Sequence, residues 1–245
     1  MIKVSVIIPV YKTSKYLEEW LNSVINQTYK KLEIIIINDY SKDNSLEIIN
    51  KYKDKRIKLI NLKENSGVAV ARNEGIKSSI GDLICFLDSD DYWNLKKIEK
   101  QVKFIKKHNY AFIYSDYAYL NNNKKKRVSV PKFITYKEAL KNTTIFTSTV
   151  MFNMNLLKKE DIYMPNLRRG QDTATWWQVL KKGITAYSIN EVLSVYRVDN
   201  KSSLSSNKFT ALKRTWNIYK MQDLNLFFRL YYFTHYVINA IKRRL

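Results

Sequence analysis

Cysteine occurs once in this chain of 245 residues, as Cys85 within the apolar run Leu83-Ile84-Cys85-Phe86-Leu87. One thiol excludes an internal disulfide, and its setting reads as a small buried hydrophobe in a protein of a reducing compartment. Histidine occurs only at His108 and His235, which form no spaced metal-ligand set. With five glycines and three prolines, no linker is marked, and no internal repeat stands out. No stretch reaches the roughly 18 uncharged apolar residues needed to cross a bilayer. Arg229 and His235 interrupt the richest candidate, and Met1 to Pro9 is too short for a span and lacks a small-residue cleavage site. The absence of a Gly-x-Gly-x-x-Gly or Walker loop argues against a dinucleotide enzyme or a P-loop ATPase. Acids are also under-represented: 22 Asp and Glu face 43 Lys and Arg, a net charge of +21. That balance calls for an anionic partner or surface, and nucleic acid, phosphorylated substrates and anionic lipid all qualify.

What is present is an alternation of short apolar runs with helical periodicity, the mark of βα units and a largely parallel sheet. Val4 to Val10, Leu32 to Asn38, Ile57 to Ile60 and Leu83 to Leu87 read as strands, and Lys15 to Gln27, Ser45 to Lys53 and Val68 to Ser78 as helices. Further on, the pattern predicts a helix over Leu95 to Lys107, a strand over Tyr110 to Leu120, an exposed basic turn over Asn121 to Arg127 and a return strand from Val128. A short helix at Tyr136 to Lys141, a strand at Thr147 to Phe152, a helix at Thr173 to Lys182 and strands at Thr185 to Ile189 and Val192 to Val198 follow. Lys208 to Gln222 and Leu226 to Ile241 read as two final helices, the second with Leu226, Leu230, Val237 and Ile241 on one stripe.

Chemistry gathers where these strands end. In open α/β sheets the carboxyl edge of the strands is where ligands bind. Asp88-Ser89-Asp90-Asp91 closes the fourth strand. Three acids there repel one another unless a cation joins them, and the alternative use is a solvated helix-capping turn. Asp39 closes the second strand, where a carboxylate can accept hydrogen bonds from a ribose or a base, or cap the next helix. Arg72 follows Asn65-Ser66-Gly67 and a run of small residues, and from an early helical turn it would point to the same edge to neutralise a phosphate or join an ion pair.

Val4-Ser5-Val6-Ile7-Ile8-Pro9-Val10-Tyr11, Asn38-Asp39, Glu64-Asn65-Ser66-Gly67 with Ala71-Arg72-Asn73, and Phe86-Leu87-Asp88-Ser89-Asp90-Asp91 occur in an order and spacing that resembles family 2 glycosyltransferases. The resemblance implies a GT-A, Rossmann-like fold: a mixed, mainly parallel central sheet flanked by helices. It further implies a nucleotide-diphosphate sugar, with a UDP-sugar favoured, a divalent Mn2+ or Mg2+, and inversion at the anomeric carbon. By position, Pro9, Tyr11, Asp39, Asn65, Gly67, Arg72, Asp88 and Ser89 would contact the nucleotide sugar, and Asp90 with Asp88 would hold the metal. The family's base is the Asp of a Glu-Asp pair opening a helix; here Gln171-Asp172 stands before Thr173-Ala174-Thr175-Trp176-Trp177, so Asp172 matches and Gln171 departs. Trp176 and Trp177 are candidates to stack on an acceptor sugar or to fill the core. Arg197, in Val195-Tyr196-Arg197-Val198 with Ser202 and Ser203, matches a late family segment near the diphosphate.

Tyr114-Ser115-Asp116-Tyr117, Ser148-Thr149-Val150-Met151, Met164-Pro165, Gln171-Asp172 and Ser205-Ser206-Asn207-Lys208 resemble teichuronic acid and related surface-polysaccharide glycosyltransferases, which implies a glycan acceptor linked to a polyprenyl diphosphate. No Gln-x-x-Arg-Trp motif of processive synthases is present, so transfer of one sugar is expected. The expected organisation is a GT-A domain over 1–207, with a nucleotide-binding half to about residue 120 and an acceptor half from 121, followed by amphipathic helices over 208–245. That tail carries eight basic residues and one acid. Each basic residue contributes about 1 kcal/mol near anionic lipid, so the tail suits either a membrane contact or packing on the domain with a solvated basic face. A cytoplasmic protein, peripheral on the inner face of the cell membrane and binding no nucleic acid, is the resulting expectation. A sugar-phosphate nucleotidyltransferase and a non-enzymatic basic nucleic-acid or membrane binder are the alternatives; the first would show a Gly-rich loop after the first strand, and the second leaves Asp39, Asp88 and Asp90 unexplained.

Overall fold

In this computed structural model the described residues are 2–122, 124–142, 144–197 and 208–242, and side chains are described except at 211 and its three predecessors and at 241–242. Val198, Ser202, Ser203, Ser205 to Asn207, Arg243 and Arg244 lie outside them. Four parallel strands come first: β1 (Val4–Val10), β2 (Leu32–Asn38), β3 (Ile57–Asn61) and β4 (Leu83–Phe86), with α1 (Leu17–Ile25), α2 (Ser45–Lys51) and α3 (Val68–Ser78) as the crossovers. β1, β2 and β4 are mostly apolar and almost wholly buried, broken only by Ser5, Glu33 and Asn38, because helices cover both faces of the sheet. β2 and β3 extend the sheet on one side of β1 and β4 on the other. The crossovers therefore diverge at β1, and a crevice opens between the carboxyl ends of β1 and β4, the topological switch point where such sheets bind ligands.

The second half completes the sheet. β5 (Tyr92–Trp93), α4 (Lys97–His108), β6 (Phe112–Asn121), β7 (Lys124–Val128), β8 (Phe133–Ile134), α5 (Tyr136–Lys141), β9 (Met151–Asn153), α6 (Gln171–Lys181) and β10 (Ala186–Arg197) follow in order. The sheet runs β3-β2-β1-β4-β9-β6-β10-β5, with β7 on β6 and β8 on β10, so antiparallel β9 joins the two halves into one mixed sheet. Its two faces bury separate cores, one centred on Ile7, Phe86, Phe152 and Trp176 and one on Ile8, Trp20, Leu87 and Ile113.

Local boundaries shift from the sequence expectation for identifiable reasons. Lys124, Lys125, Lys126 and Arg127 are not in the turn but form β7 itself, exposed along the sheet edge, where lysines discourage strand addition. The strand expected from Thr147 starts only at Met151, since 147–149 make one buried tight turn. The two strands expected between 185 and 198 are one, β10, interrupted by register shifts between Ile189 and Ser194.

α7 (Lys208–Lys220) and α8 (Leu226–Lys242) pack on α5 and α6 rather than standing apart. Trp177 and Tyr219 rings lie 4.9 Å apart, and Tyr136 Oη donates to Gln222 Oε1 at 3.1 Å. The buried stripe of α8 is Tyr232 and Tyr236, not the expected one: Leu226 and Leu230 face out, with Phe227, Phe228, Tyr231 and Ile238. That side of the helix is tied down through its backbone and Asn239: Tyr219 Oη donates to the Tyr232 carbonyl at 3.3 Å, and Asn239 Nδ2 donates to the Lys141 carbonyl at 3.1 Å.

Candidate active site

The loops after β1 and β2 are stitched together to form one wall. Lys12 and Tyr40 both hold left-handed backbone angles, and the amides of Lys12, Thr13 and Ser14 donate to Ser41, Ser45 and Asp43. Asp39, 3% exposed, organises the neighbouring loop: it accepts from the Ser66 amide at 2.7 Å, the Gly67 amide at 2.9 Å and Asn65 Nδ2 at 3.0 Å. Gly67 opens α3 at φ +88°, a conformation that side chains resist. A carboxylate has about four lone-pair sites, so Asp39 retains a single acceptor position toward the cleft once this loop is bound.

Arg72 is 3% exposed, and its guanidinium pairs with Asp88 Oδ1. The structure thus gives this arginine to a carboxylate of the acidic turn and leaves its Nε buried without a partner. Next to it, Asn73 exchanges two 2.8 Å bonds with the Met164 backbone and ties the segment leading to α6 onto α3.

The acidic turn separates its members. Asp91 is buried, accepts from Ser148 Oγ at 2.6 Å and the Arg197 amide at 3.3 Å, and holds its proton well above the usual carboxylate range because it is buried and faces Asp90 and Asp88. It braces the turn. Asp90 opens to the cleft, though protein displaces much of its water, and that burial, with the Asp88 charge, pushes its pKa up to about 6. The like charge that Asp90 meets at this turn is relieved by a divalent cation. Mg2+ or Mn2+ is commonly held by one or two carboxylates plus phosphate and water, so Asp90 and Asp88 fit such an ion. Among the described residues no group of three or more His, Cys, Asp or Glu side chains is placed around a cation position.

Asp172 is the second residue of α6, whose N-cap is Gly170 at φ +78° rather than Asp172 itself. Its Oδ1 accepts from the Thr173 amide at 2.7 Å and its Oδ2 from Thr147 Oγ1 at 2.9 Å. Thr147 and Ser148, adjacent in the buried turn before β9, link the two catalytic candidates. Ser148 Oγ donates to Asp91 and accepts from the Asp88 amide at 3.1 Å, and its carbonyl receives Trp93 Nε1 and Ser194 Oγ, both at 2.8 Å. The separation between the acidic turn and Asp172 is therefore set by two consecutive residues of a rigid turn.

Pro9, Tyr11, Asp39, Asn65, Gly67, Arg72, Asp88, Ser89, Asp90, Asp172 and Arg197 all line one cleft of about 720 Å³. Arg197 sits at its rim: it pairs with Glu19, reaches the Asp90 carbonyl at 3.3 Å and lies 4.5 Å from the Tyr16 ring centre. Trp176 and Trp177 do not reach the cleft. They are 2% and 1% exposed, because α6 is covered on one side by Phe86, Phe112 and Phe152 and on the other by α7, so neither can stack on an acceptor. Sequence reasoning missed Thr13, Arg168, Arg169, Tyr196 and Arg214 as cleft residues. Arg168 and Arg169 directly precede Gly170-Gln171-Asp172, a signal that adjacency to Asp172 offered; Arg214 arrives from α7 and carries no local signal.

Comparison with known proteins gives this arrangement a family. The model of Glycosyl transferase family 2 matches residues 5–163. TuaG of Bacillus subtilis (strain 168), a provisionally assigned teichuronic acid biosynthesis glycosyltransferase, is 41% identical over 99% of this chain and 97% of its own. WfgD of Escherichia coli, a UDP-Glc:alpha-D-GlcNAc-diphosphoundecaprenol beta-1,3-glucosyltransferase, is 35% identical over 98% of this chain and 94% of its own. TarS 1–349 of Staphylococcus aureus, solved with UDP-GlcNAc, shares the fold at a TM-score of 0.76 and 22% identity, over 96% of this chain and 71% of that one. So does the mannosyltransferase PcManGT of Pyrobaculum calidifontis with GDP-Man and Mn2+, at 0.70 and 18%, over 91% and 65%. With the matched region supplying the switch-point crevice and its acidic turn, and similarity reaching the length of the chain, this protein is a glycosyltransferase of GT-A fold and belongs to glycosyl transferase family 2.

Proposed function

We propose that the protein transfers one hexose, with inversion, from a UDP-sugar to a glycan carried on a polyprenyl diphosphate, in the assembly of a bacterial surface polysaccharide. The observation that carries this reading is that Asp172 and the Asp88–Asp90 turn face one cleft and are held at a set separation through Thr147 and Ser148. Pro9, Tyr11, Thr13, Asp39, Asn65 and Gly67 form the wall for the nucleotide, and Asp39 keeps one acceptor site for a ribose hydroxyl or a base N–H. The other classes open from composition, a nucleotidyltransferase and a non-enzymatic basic binder, give way to the family assignment.

Asp90 with Asp88 would hold a divalent Mn2+ or Mg2+, which when bound would supply positive charge for the departing diphosphate. Arg72, paired with Asp88, fixes that carboxylate, and Arg197 adds positive charge at the rim. Displacement with inversion needs a base on the face of the sugar opposite the leaving group. Asp172 takes the proton of the attacking acceptor hydroxyl. Thr147 and the Thr173 amide each hold one of its two oxygens, which fixes the orientation of the carboxylate at the cleft. The names of the similar proteins support a UDP-sugar and a diphospholipid acceptor.

No helix among the described residues is long and apolar enough to cross a membrane. The outward apolar side chains of α8 and the basic tail suit an interfacial contact with anionic lipid on the cytoplasmic side, where such acceptors would be met. Asp172→Asn is expected to retain UDP-sugar binding and to lower transfer by about two to four orders of magnitude, while chelation weakens donor binding. Transfer at the wild-type rate by the variant, or donor binding indifferent to chelator, would count against the reading.

A further inference from the structure

The cleft is asymmetric about Asp172. Toward the acidic turn, cations already have carboxylate partners: Arg72 holds Asp88 and Arg197 holds Glu19. Beside the base, the segment before α6 and the α7 helix bring Arg168 and Arg214 to the cleft, along with Arg169. Neither Arg168 nor Arg214 makes a hydrogen bond or ion pair with a described residue. Arg214 is placed by its aliphatic stem, which packs so closely on Gly170 that a Cβ there would stand 3.1 Å from its Cδ and 2.8 Å from Ile218 Cδ1. Gln171, between these cations and Asp172, is 7% exposed and lines the cleft, and its Oε1 has no hydrogen-bond partner. A buried acceptor left open costs about 1–3 kcal/mol, which a donor hydroxyl from a bound ligand would remove.

We infer that Arg168 and Arg214 form an acceptor subsite that binds the diphosphate of a sugar-1-diphosphate ester, with Gln171 Oε1 accepting a hydroxyl of the same sugar while another hydroxyl meets Asp172. This assignment rests on the glycosyltransferase reading of the cleft and names what recognises its acceptor. Two guanidiniums without carboxylate partners in one cleft favour an anion over a neutral sugar, and diphosphate oxygens match their fork geometry. Since inversion puts the acceptor on the face away from the donor diphosphate, cations beside the base serve the acceptor and those at the acidic turn serve the donor. Gln171 also accounts for the departure from Glu-Asp: an amide leaves the phosphates without a second adjacent carboxylate.

The test uses the full chain with UDP-glucose and UDP-N-acetylglucosamine as donors. Its two acceptors are N-acetylglucosamine linked to an undecyl diphosphate and the undecyl glycoside of the same sugar. The wild type is expected to favour the diphosphate acceptor in kcat/KM by tenfold or more. Arg168→Ala with Arg214→Ala should raise KM for that acceptor about tenfold or more, bring the ratio toward one, and leave UDP affinity by calorimetry within about twofold. Arg168→Lys with Arg214→Lys, which keeps the stem on Gly170 and the charge, should retain part of the preference. A wild type that does not discriminate between the acceptors, a double alanine variant that still does, or an equal loss of UDP affinity overturns the inference and leaves the enzyme reading standing. Absence of UDP binding and of transfer to either acceptor overturns both.

Discussion

Thr147 shows how one hydroxyl can matter to a site it does not enter. Buried in the turn before β9, it donates to Asp172 Oδ2 and neighbours Ser148, which holds the acidic turn. Thr147→Val keeps the volume and removes the bond, so kcat should fall about tenfold through misorientation of the base, with donor KM unchanged and Thr147→Ser restoring most of the rate; an unchanged kcat in steady-state assays would reject the role. Lys97 is a second residue with a consequence. It is fully buried, with Nζ on Gln101 at 2.6 Å and 3.9 Å from the Trp93 ring centre, and burial lowers its pKa from 10.5 to about 8. Between those pH values the unfolded chain holds the proton that the folded chain has lost, so this group adds stability as pH rises from about 8 toward 10. Lys97→Met should raise stability at pH 7 by about 1–2 kcal/mol and flatten that rise, as thermal melts across the range would show. Asp39, Asp88 and Asp90 were legible as chemistry because each stands just past a strand end, and Arg72 because it follows the Asn65-Ser66-Gly67 loop on an early turn of α3. Their partners were not, since Arg72 meets Asp88 across 16 residues and Thr147 meets Asp172 across 25.

At the scale of elements, α6 is where the sequence pattern and the packing part. The periodicity located the helix within two residues of its observed start, yet it left open which side of Trp176 and Trp177 faces the cleft. Packing on both flanks leaves only the first turn of α6, with Gln171, Asp172 and Thr173, at the cleft. Gly170 makes that turn accessible by its positive φ and by lacking a side chain against α7. Gly170→Ala must meet both demands. A left-handed alanine costs about 1–2 kcal/mol, and the contact with Ile218 adds to it, so the melting temperature should drop, with acceptor transfer reduced more than UDP binding. The hairpin of β6 and β7 teaches the same lesson differently: a run of Lys and Arg reads as a turn by composition, but pairing with Tyr117 to Asn121 makes it an edge strand.

For the molecule as a whole, the C-terminal helices serve two surfaces. α7 contributes Tyr219 to the core and Arg214 to the cleft, while α8 buries Tyr232 and Tyr236 and leaves Phe227, Phe228 and Leu230 outside. If that outer face meets lipid, Phe227→Glu with Phe228→Glu should reduce co-sedimentation with anionic vesicles at least tenfold while UDP affinity is preserved; retention of vesicle binding would place the contact elsewhere. The sequence by itself determined the βα alternation, the acidic, basic and glycine positions at strand ends and the family resemblance, because these depend on short-range periodicity and on residues adjacent in the chain. Only the tertiary structure decided that β4 crosses to the other side of β1 to open the crevice and that Trp176 and Trp177 fill the core. It alone decided, too, that Arg214 lines the same cleft as Arg168 and Asp172. These are long-range pairings, and their outcome depends on which surfaces the sheet and helices cover once the whole chain has packed.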